Sequence, residues 1–446
     1  MKVVIDYLKG IWETPSLRRK ILFTFAILIA YRFLVFLPVP FVNIKELFNL
    51  ISENNLLQAG AWGGLEYLAV LLGGTLDKFS IITVGLIPFI NASIVIQLLT
   101  AVLPQLEELQ EQGEVGQMKI QQYTRWLTVP FAFLQAIGTV YFIHSLAPSV
   151  INTTMGIVLL SAFSMMVWSI LLMRLGETIT EKGISNGISL IIFSSIVAGI
   201  MSKLFGYLVG AGSKELQKVI VFVLLVVIVL IILSILLIRT VKEIPIIYAR
   251  AWRVEERAVL PIPLNPVGMI PIIFAMSFIS FPYLVATLFI KKGVESSTLY
   301  NIANWIQQNL NIYTNQPSPL AIGLFFVLTV LFTFFYTIIV FNPERMAENI
   351  QQRGGYIPWI RPGEETAKYL NKILMHLSFW GGIGLGLVGI YSYILPYLPF
   401  VKDYVVMSGT LPVVVSGAGI IIIVGVVKEI IDKVNGELLM ERYEKL

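Results

Sequence analysis

Side chains able to do chemistry are few in this chain. It has no cysteine, which removes disulfides, thiol nucleophiles and thiolate metal sites. Its two histidines, His144 and His376, are too few for most transition-metal sites. Both fall near the ends of apolar runs, where interfacial residues belong rather than members of a proton relay. Gly384, Gly386 and Gly389 spell GxGxxG, but a dinucleotide loop needs a strand before it and a helix after it. Here the glycines lie inside an apolar stretch, so with Gly382 they read as small-residue helix packing. No phosphate-binding GxxxxGK[ST] sequence occurs. Polar groups in apolar surroundings include Arg32 and the amides Asn91 and Gln97, the latter two near Pro88. An uncompensated amide in lipid is costly, so such groups belong where a helix meets protein or water. These residues predict no catalytic group, no metal site and no cofactor.

The surrounding chain explains why. Of 446 residues, 57% are hydrophobic and 13% charged, with a mean hydropathy of +0.81. Soluble proteins carry about 25% charged residues, so this is a membrane protein. Met1–Lys20 is polar and the apolar run after it lacks a small-residue cleavage site, as expected of a first span with a polar lead rather than a signal peptide. Apolar runs long enough to cross a bilayer fall at about 21–37, 80–103, 127–147, 155–173, 185–202, 219–238, 267–290, 319–341, 373–396 and 407–427. The predicted fold class is an all-α polytopic membrane protein with ten transmembrane helices. With the lead inside, the cytoplasmic segments hold 23 of the 32 Lys and Arg residues and the external ones 7. That bias places both termini in the cytoplasm.

Between their ends, nine of the ten spans lack Asp, Glu, Lys and Arg; the exception is Arg32 in the first. Ion-coupled transporters and pumps need intramembrane ionisable groups to bind what they move, which counts against an ion-coupled solute transporter. Gly60 to Pro104 suggests something else. Leu65 to Leu72 is about a third of a span, bracketed by Gly63-Gly64 and Gly73-Gly74, and feeds the proline-bearing second span. Irregular backbone at membrane depth is tolerated where it lines a cavity, so this reads as the moving part of a pore. An apolar constriction conducts nothing until it is widened, which suits a bulky, chemically varied passenger pushed by a partner.

A docking place for that partner is legible. Arg239 to Pro266 contains IPIIYARAW, whose alternation predicts a small β-ribbon. Asn342 to Lys372 opens with a helix start in which Asn342 caps, Pro343 takes the first position and Glu344 suits the dipole. Met346 and Ile350 share a face, Gly354-Gly355 ends the helix, and YIPWIRPG forms a turn presenting Arg361. The segment after the second span, LEELQEQGEVGQMKI, reads as an acidic amphipathic loop. Loops of such length are more often functional than idle, and the two docking loops are expected to project as one surface.

At this point the residues resemble a known family. FSIITVGLIPFINASIVIQLLTAVLPQLEELQEQGEVGQMKIQQYTRW, EKGISNGISLIIFSSIVAGI, KEIPIIYAR, NPVGMIPIIFA, NPERMAENIQQRGGYIPWIRPG and ELLMERYEKL are similar, in order and over nearly the whole chain, to bacterial SecY. That family is the central protein-conducting channel of the Sec translocon. The resemblance implies two pseudo-symmetric five-helix halves, here about 1–202 and 203–446, opening at a lateral gate. It implies a pore ring of Leu86, Ile90, Ile188, Ile192, Ile273 and Ile422. It implies a short re-entrant plug helix over about 61–72, with Trp62, Leu65, Glu66, Tyr67, Leu68 and Leu71. The gate runs between the second and seventh spans, with Asn91 and Gln97 on one wall and Phe281 near the other. Docking falls to Lys242, Arg250, Arg253, Arg257 and Arg361 on the loops 239–266 and 342–372, with a cytoplasmic tail at 428–446.

The implied partners are SecE and SecG subunits, the SecA motor, the ribosome with a ribosomal RNA contact, signal sequences, nascent polypeptides and membrane lipid. The implied location is the bacterial cytoplasmic (inner) membrane. The implied function is passage of unfolded secretory polypeptides and lateral release of apolar helices into lipid, with no enzymatic activity. The sequence departs from the family at three places. Lys242-Glu243 stands where two basic residues are usual, and Gln117-Met118 precedes Lys119 in place of paired basics. Trp359 replaces a glycine common in the second docking loop.

Overall fold

The computed structural model describes residues 11–43, 80–146, 150–151, 154–210, 214–248, 256–290, 298–310, 318–394 and 417–444. The plug segment, Arg250 and Arg253 lie outside these, and of Arg257 only the backbone is described. Each of the ten apolar runs overlaps a helix. In chain order these are α1 (Pro15–Leu34), α2 (Ile87–Val102), then a short α3 (Pro104–Glu111), α4 (Glu114–Leu146), α5 (Met155–Lys182), α6 (Gly187–Gly210) and α7 (Lys214–Arg239). Strands β1 (Val241–Tyr248) and β2 (Glu256–Pro263) follow, then α8 (Ile270–Ile290), α9 (Thr298–Asn309) and α10 (Pro319–Val340). The chain closes with α11 (Pro343–Gln352), β3 (Gly355–Tyr356), α12 (Glu364–Ile394) and α13 (Gly417–Glu444). Among the described residues, three helices are long and apolar enough by themselves to cross a membrane, or four if the bent pair α2–α3 counts as one span.

Two sequence expectations need correction. Ser80 to Leu86 was expected to be helical, but the chain turns there and the helix starts only at Ile87. Gly85 takes φ +59° and Pro88 occupies the first turn, where its missing N–H costs nothing. The turns are buried and tied down: Ser80 Oγ donates to Leu34 O at 3.0 Å and Ser169 Oγ to Gly85 O at 2.7 Å. The supposed acidic loop is also helical. Leu103 is extended before Pro104, as a residue preceding proline prefers, and the chain bends by 104° into α3. Gly113, at φ +70°, turns it again into α4.

The helices pack into two groups. One comprises α1, α2, α4, α5 and α6; the other comprises α7, α8, α10, α12 and α13. They meet along two seams, α2 and α4 against α8 on one side and α6 against α7 and α13 on the other. One apolar cluster runs through both groups. α10 and α12 pack against each other along much of their length. A Cβ on Gly386 would lie 2.6 Å from the Phe326 ring of α10, and one on Gly384 would lie 2.5 Å from Leu237 Cδ2 of α7. The GxGxxG glycines thus admit neighbouring helices, as the sequence reading held. Along α7, Leu224, Leu225, Ile228, Val229, Ile232 and Leu236 are exposed, an outer apolar face of the kind lipid covers.

The two long loops build a separate platform. β1 pairs antiparallel with β2 from Val241↔Pro263 to Tyr248↔Glu256, and β3 adds to the other edge of β1 through Ile247↔Tyr356 and Tyr248↔Gly355. The expected ribbon is therefore a three-stranded sheet that fastens both loops together. A second apolar cluster of Ile244, Ile246, Ile262, Ile350, Ile357 and Leu370 roots it on α11 and α12. The cap is as expected: Asn342 Oδ1 accepts from Arg345 N at 3.2 Å.

Candidate functional site

A cavity of about 680 Å³ lies between the two helix groups. Its lining includes the charged side chains Glu177 and Glu181 from α5 and Lys428, Glu429 and Asp432 from α13. It is also lined by Ile90 of α2, Ile188 and Ile192 of α6, and Ile273 of α8. Four residues of the expected ring therefore face one space. Leu86 and Ile422 do not border it, but they join the same apolar cluster as the other four. Leu86 precedes α2 rather than lying in it; Ile90 N donates to Leu86 O at 3.0 Å, which keeps the two one turn apart. Ile90, Ile192, Ile273 and Ile422 are buried, and Ile188 is half-buried. Branched aliphatic side chains packed this way present nothing for water or ions to bind.

The seam beside the cavity joins α2, α4 and α8. Phe281 of α8 meets Phe131 of α4 edge-on, with ring centroids 5.4 Å apart. Gln97 Nε2 donates to Ser93 Oγ at 3.0 Å. Among the described residues, Asn91 Nδ2, Gln97 Oε1, both polar atoms of Gln135 and Ser277 Oγ are buried without a hydrogen-bond partner. Gln135 (α4) and Ser277 (α8) were not singled out in the sequence, although a glutamine in the middle of an apolar run is a readable signal. Each of these atoms, carried by α2, α4 and α8, lacks the partner that would offset its burial.

The other expected residues have ordinary surroundings. Arg32 donates to Ser194 O on α6 and sits 5.5 Å from the Tyr31 ring, whose hydroxyl shares a 2.5 Å hydrogen bond with Ser195 Oγ. It ties the first helix to the fifth-span helix. His144 Nδ1 lies 2.9 Å from Ile151 O, and His376 packs on the edge of Trp380. Among the described residues no group of His, Asp and Glu could hold a metal. On the platform, Lys242 of β1 and Arg361 are exposed. Thr366 Oγ1 donates to Arg361 O at 2.9 Å, fixing the backbone of that turn.

A largely helical bundle with an apolar outer face, a cavity between its helix groups lined in part by aliphatic side chains and an attached loop platform is the architecture of a membrane protein of the channel class. Comparisons narrow this. The SecY family model matches residues 80–431. Proteins named "Protein translocase subunit SecY" from Halalkalibacterium halodurans and Thermotoga maritima are 35% and 34% identical, each over 98% of this chain and 98% and 96% of their own. Two solved structures superpose with TM-scores of 0.66 and 0.61 at 17% and 16% identity, each covering 96% of this chain and 93% of the other. They are described as "The structure of a protein conducting channel" and "Sec61 in the Canine ribosome-channel complex from the endoplasmic reticulum". The chain belongs to the SecY family, a family of protein-translocation channels and not of enzymes.

Proposed function

We propose that the chain is the polypeptide path of a bacterial inner-membrane translocon, with ten spans, two five-helix halves and both termini cytoplasmic. Unfolded secretory chains enter the cavity and pass a waist made by Leu86, Ile90, Ile188, Ile192, Ile273 and Ile422. Apolar segments leave sideways between α2 and α8, past Asn91, Gln97 and Phe281. Residues 61–72, outside the described residues, stopper the far side. SecE and SecG complete the assembly, and the SecA motor or a ribosome supplies the push from the loop platform through Lys242, Arg250, Arg253, Arg257 and Arg361. An ion-coupled transporter finds no support in the family or in the spans, nine of which carry no charge between their ends.

The observation that carries this reading is the convergence of Ile90, Ile188, Ile192 and Ile273, from three helices, on one cavity between the two helix groups. Replacing Ile90 or Ile192 with Asn hydrates the waist. Ion leak through reconstituted vesicles should rise, and substrates with defective signal sequences should be accepted. Unchanged leak together with strict signal dependence in both variants would sink the waist assignment.

A further inference from the structure

The segment between α8 and α10 carries an apolar edge left exposed. β2 leads into α8 and α10 leads into α11, so the platform adjoins the start of α8 and the end of α10. Helix α9 joins the opposite ends of those two helices. In its sequence, TLYNIANWIQQN, Leu299, Ile302, Ala303 and Ile306 recur at helical spacing, with Leu310 one turn further on. Asn301, Asn304 and Gln308 fall on the other side, where Gln308 Nε2 donates to Asn304 Oδ1 at 3.3 Å. α9 packs against α8 and buries Ala303. Leu299, Ile302 and Trp305, spaced by three along one edge of the apolar stripe, each keep more than half of their area exposed.

Two observations say what covers that edge. The first is depth. Ser318 caps α10, where its Oγ accepts from Ala321 N at 3.1 Å, and the same hydroxyl donates to Asn309 O. The last turn of α9 is thus tied to the first turn of a helix long and apolar enough to cross a membrane. It lies at the level where that helix enters the bilayer. The second is charge. No Asp, Glu, Lys or Arg occurs from Ser296 to Pro343; the nearest are Lys291, Lys292 and Glu295 on one side and Glu344 on the other. An apolar edge with a tryptophan, backed by uncharged amides, fits the boundary between acyl chains and headgroups. There an indole buries its rings while its N–H stays hydrated.

We propose that α9 is an interfacial lipid anchor, lying along the membrane surface remote from the platform with Leu299, Ile302 and Trp305 in the acyl–headgroup boundary. No charge takes part, so the anchor draws on apolar area and holds zwitterionic and anionic lipid alike. Through its packing on α8, it fixes the far end of that helix at the bilayer surface.

The chain has no cysteine, so one introduced cysteine carries a nitroxide label at a known place. The intact complex, with cysteine-free partner subunits, is reconstituted into phosphatidylcholine vesicles. Labels are placed by Leu299→Cys, Ile302→Cys, Trp305→Cys, Asn301→Cys and Gln308→Cys, one at a time. Collisions are measured with oxygen, which concentrates in lipid, and with a nickel chelate, which stays in water. The oxygen-to-nickel ratio should be several-fold higher at 299, 302 and 305 than at 301 and 308. Adding phosphatidylglycerol or salt should leave that pattern unchanged. Nickel access at all five sites overturns the proposal, because the edge then faces water. Labels at 299, 302 and 305 shielded from both reagents also overturn it, because a second copy or another subunit then covers them. So does shielding that needs anionic lipid, which would move the contact to Lys291 and Lys292. Ile302→Asp, with the label at Trp305→Cys, tests whether apolar area holds the helix. The ratio at 305 should fall several-fold, because a carboxylate favours water over the boundary. An unchanged ratio would overturn the anchor.

Discussion

Gln135 is 1% exposed and neither of its side-chain polar atoms is bonded, while its helix packs on both α2 and α8. A stranded buried polar group costs about 1–3 kcal/mol. Water or a passing chain that reaches Gln135 relieves that cost, so the residue should narrow the free-energy gap between closed and open. Replacing Gln135 with Leu keeps the bulk and removes the penalty. The purified complex should melt at a higher temperature, and signal-dependent translocation into vesicles should slow several-fold. A lower melting temperature would show that Gln135 is bonded in the working channel. Reading the sequence found Asn91 and Gln97 because they lie beside Pro88 in a conspicuous stretch. Gln135 passed unnoticed because periodicity reports which helix a residue is on, not which neighbour it faces.

Helices and turns were legible to different degrees. Each apolar run overlaps a helix, because burial in lipid or core demands apolar side chains; the helix ends were set by single residues. Asn342, Pro343 and Gly354 announced α11 correctly, whereas Gly85 and Pro88 were counted within a span they in fact delay. The third strand was invisible, since two residues, Gly355 and Tyr356, pair with a partner more than a hundred positions away. Two substitutions test elements directly. Asn342→Ala should cost α11 about 1 kcal/mol, the usual worth of a cap, seen as faster amide exchange at Arg345 with translocation by the bare pore intact. Gly386→Leu must displace the Phe326 ring, whose Cδ2 would lie 2.6 Å from the new Cβ. Overpacking of this kind costs about 1–3 kcal/mol, so the melting temperature should fall, and Phe326→Ala in the same chain should restore part of it.

At the scale of the whole molecule, two helix groups share two unlike seams. The one beside the cavity holds stranded amides and an edge-on aromatic pair. The other is fastened by charge: Glu429 of α13 accepts from Ser185 Oγ at 2.9 Å and from Asn186 N at 3.1 Å, at the start of α6. A carboxylate bonded to a helix N-terminus is favoured twice, by the hydrogen bonds and by the helix dipole. Lys20 of α1 reaches Glu437 of α13 nearby, but that pair is partly open to solvent and counts for little. Opening should therefore pivot about the Glu429 side while the amide side parts. Removing the fastener with Glu429→Ala costs the closed arrangement about 1–2 kcal/mol by the worth of charge-assisted hydrogen bonds, a shift of roughly tenfold in the open fraction. Spin labels on α2 and α8 should then report a larger long-distance population without any signal peptide, and Glu429→Gln, which still accepts from Ser185, should lie between. The shift should survive 1 M salt, because a half-buried carboxylate held by neutral donors is screened far less than a surface ion pair. A pivot on the other side predicts the reverse, with the labels on α2 and α8 unmoved and the α6–α13 distance lengthened.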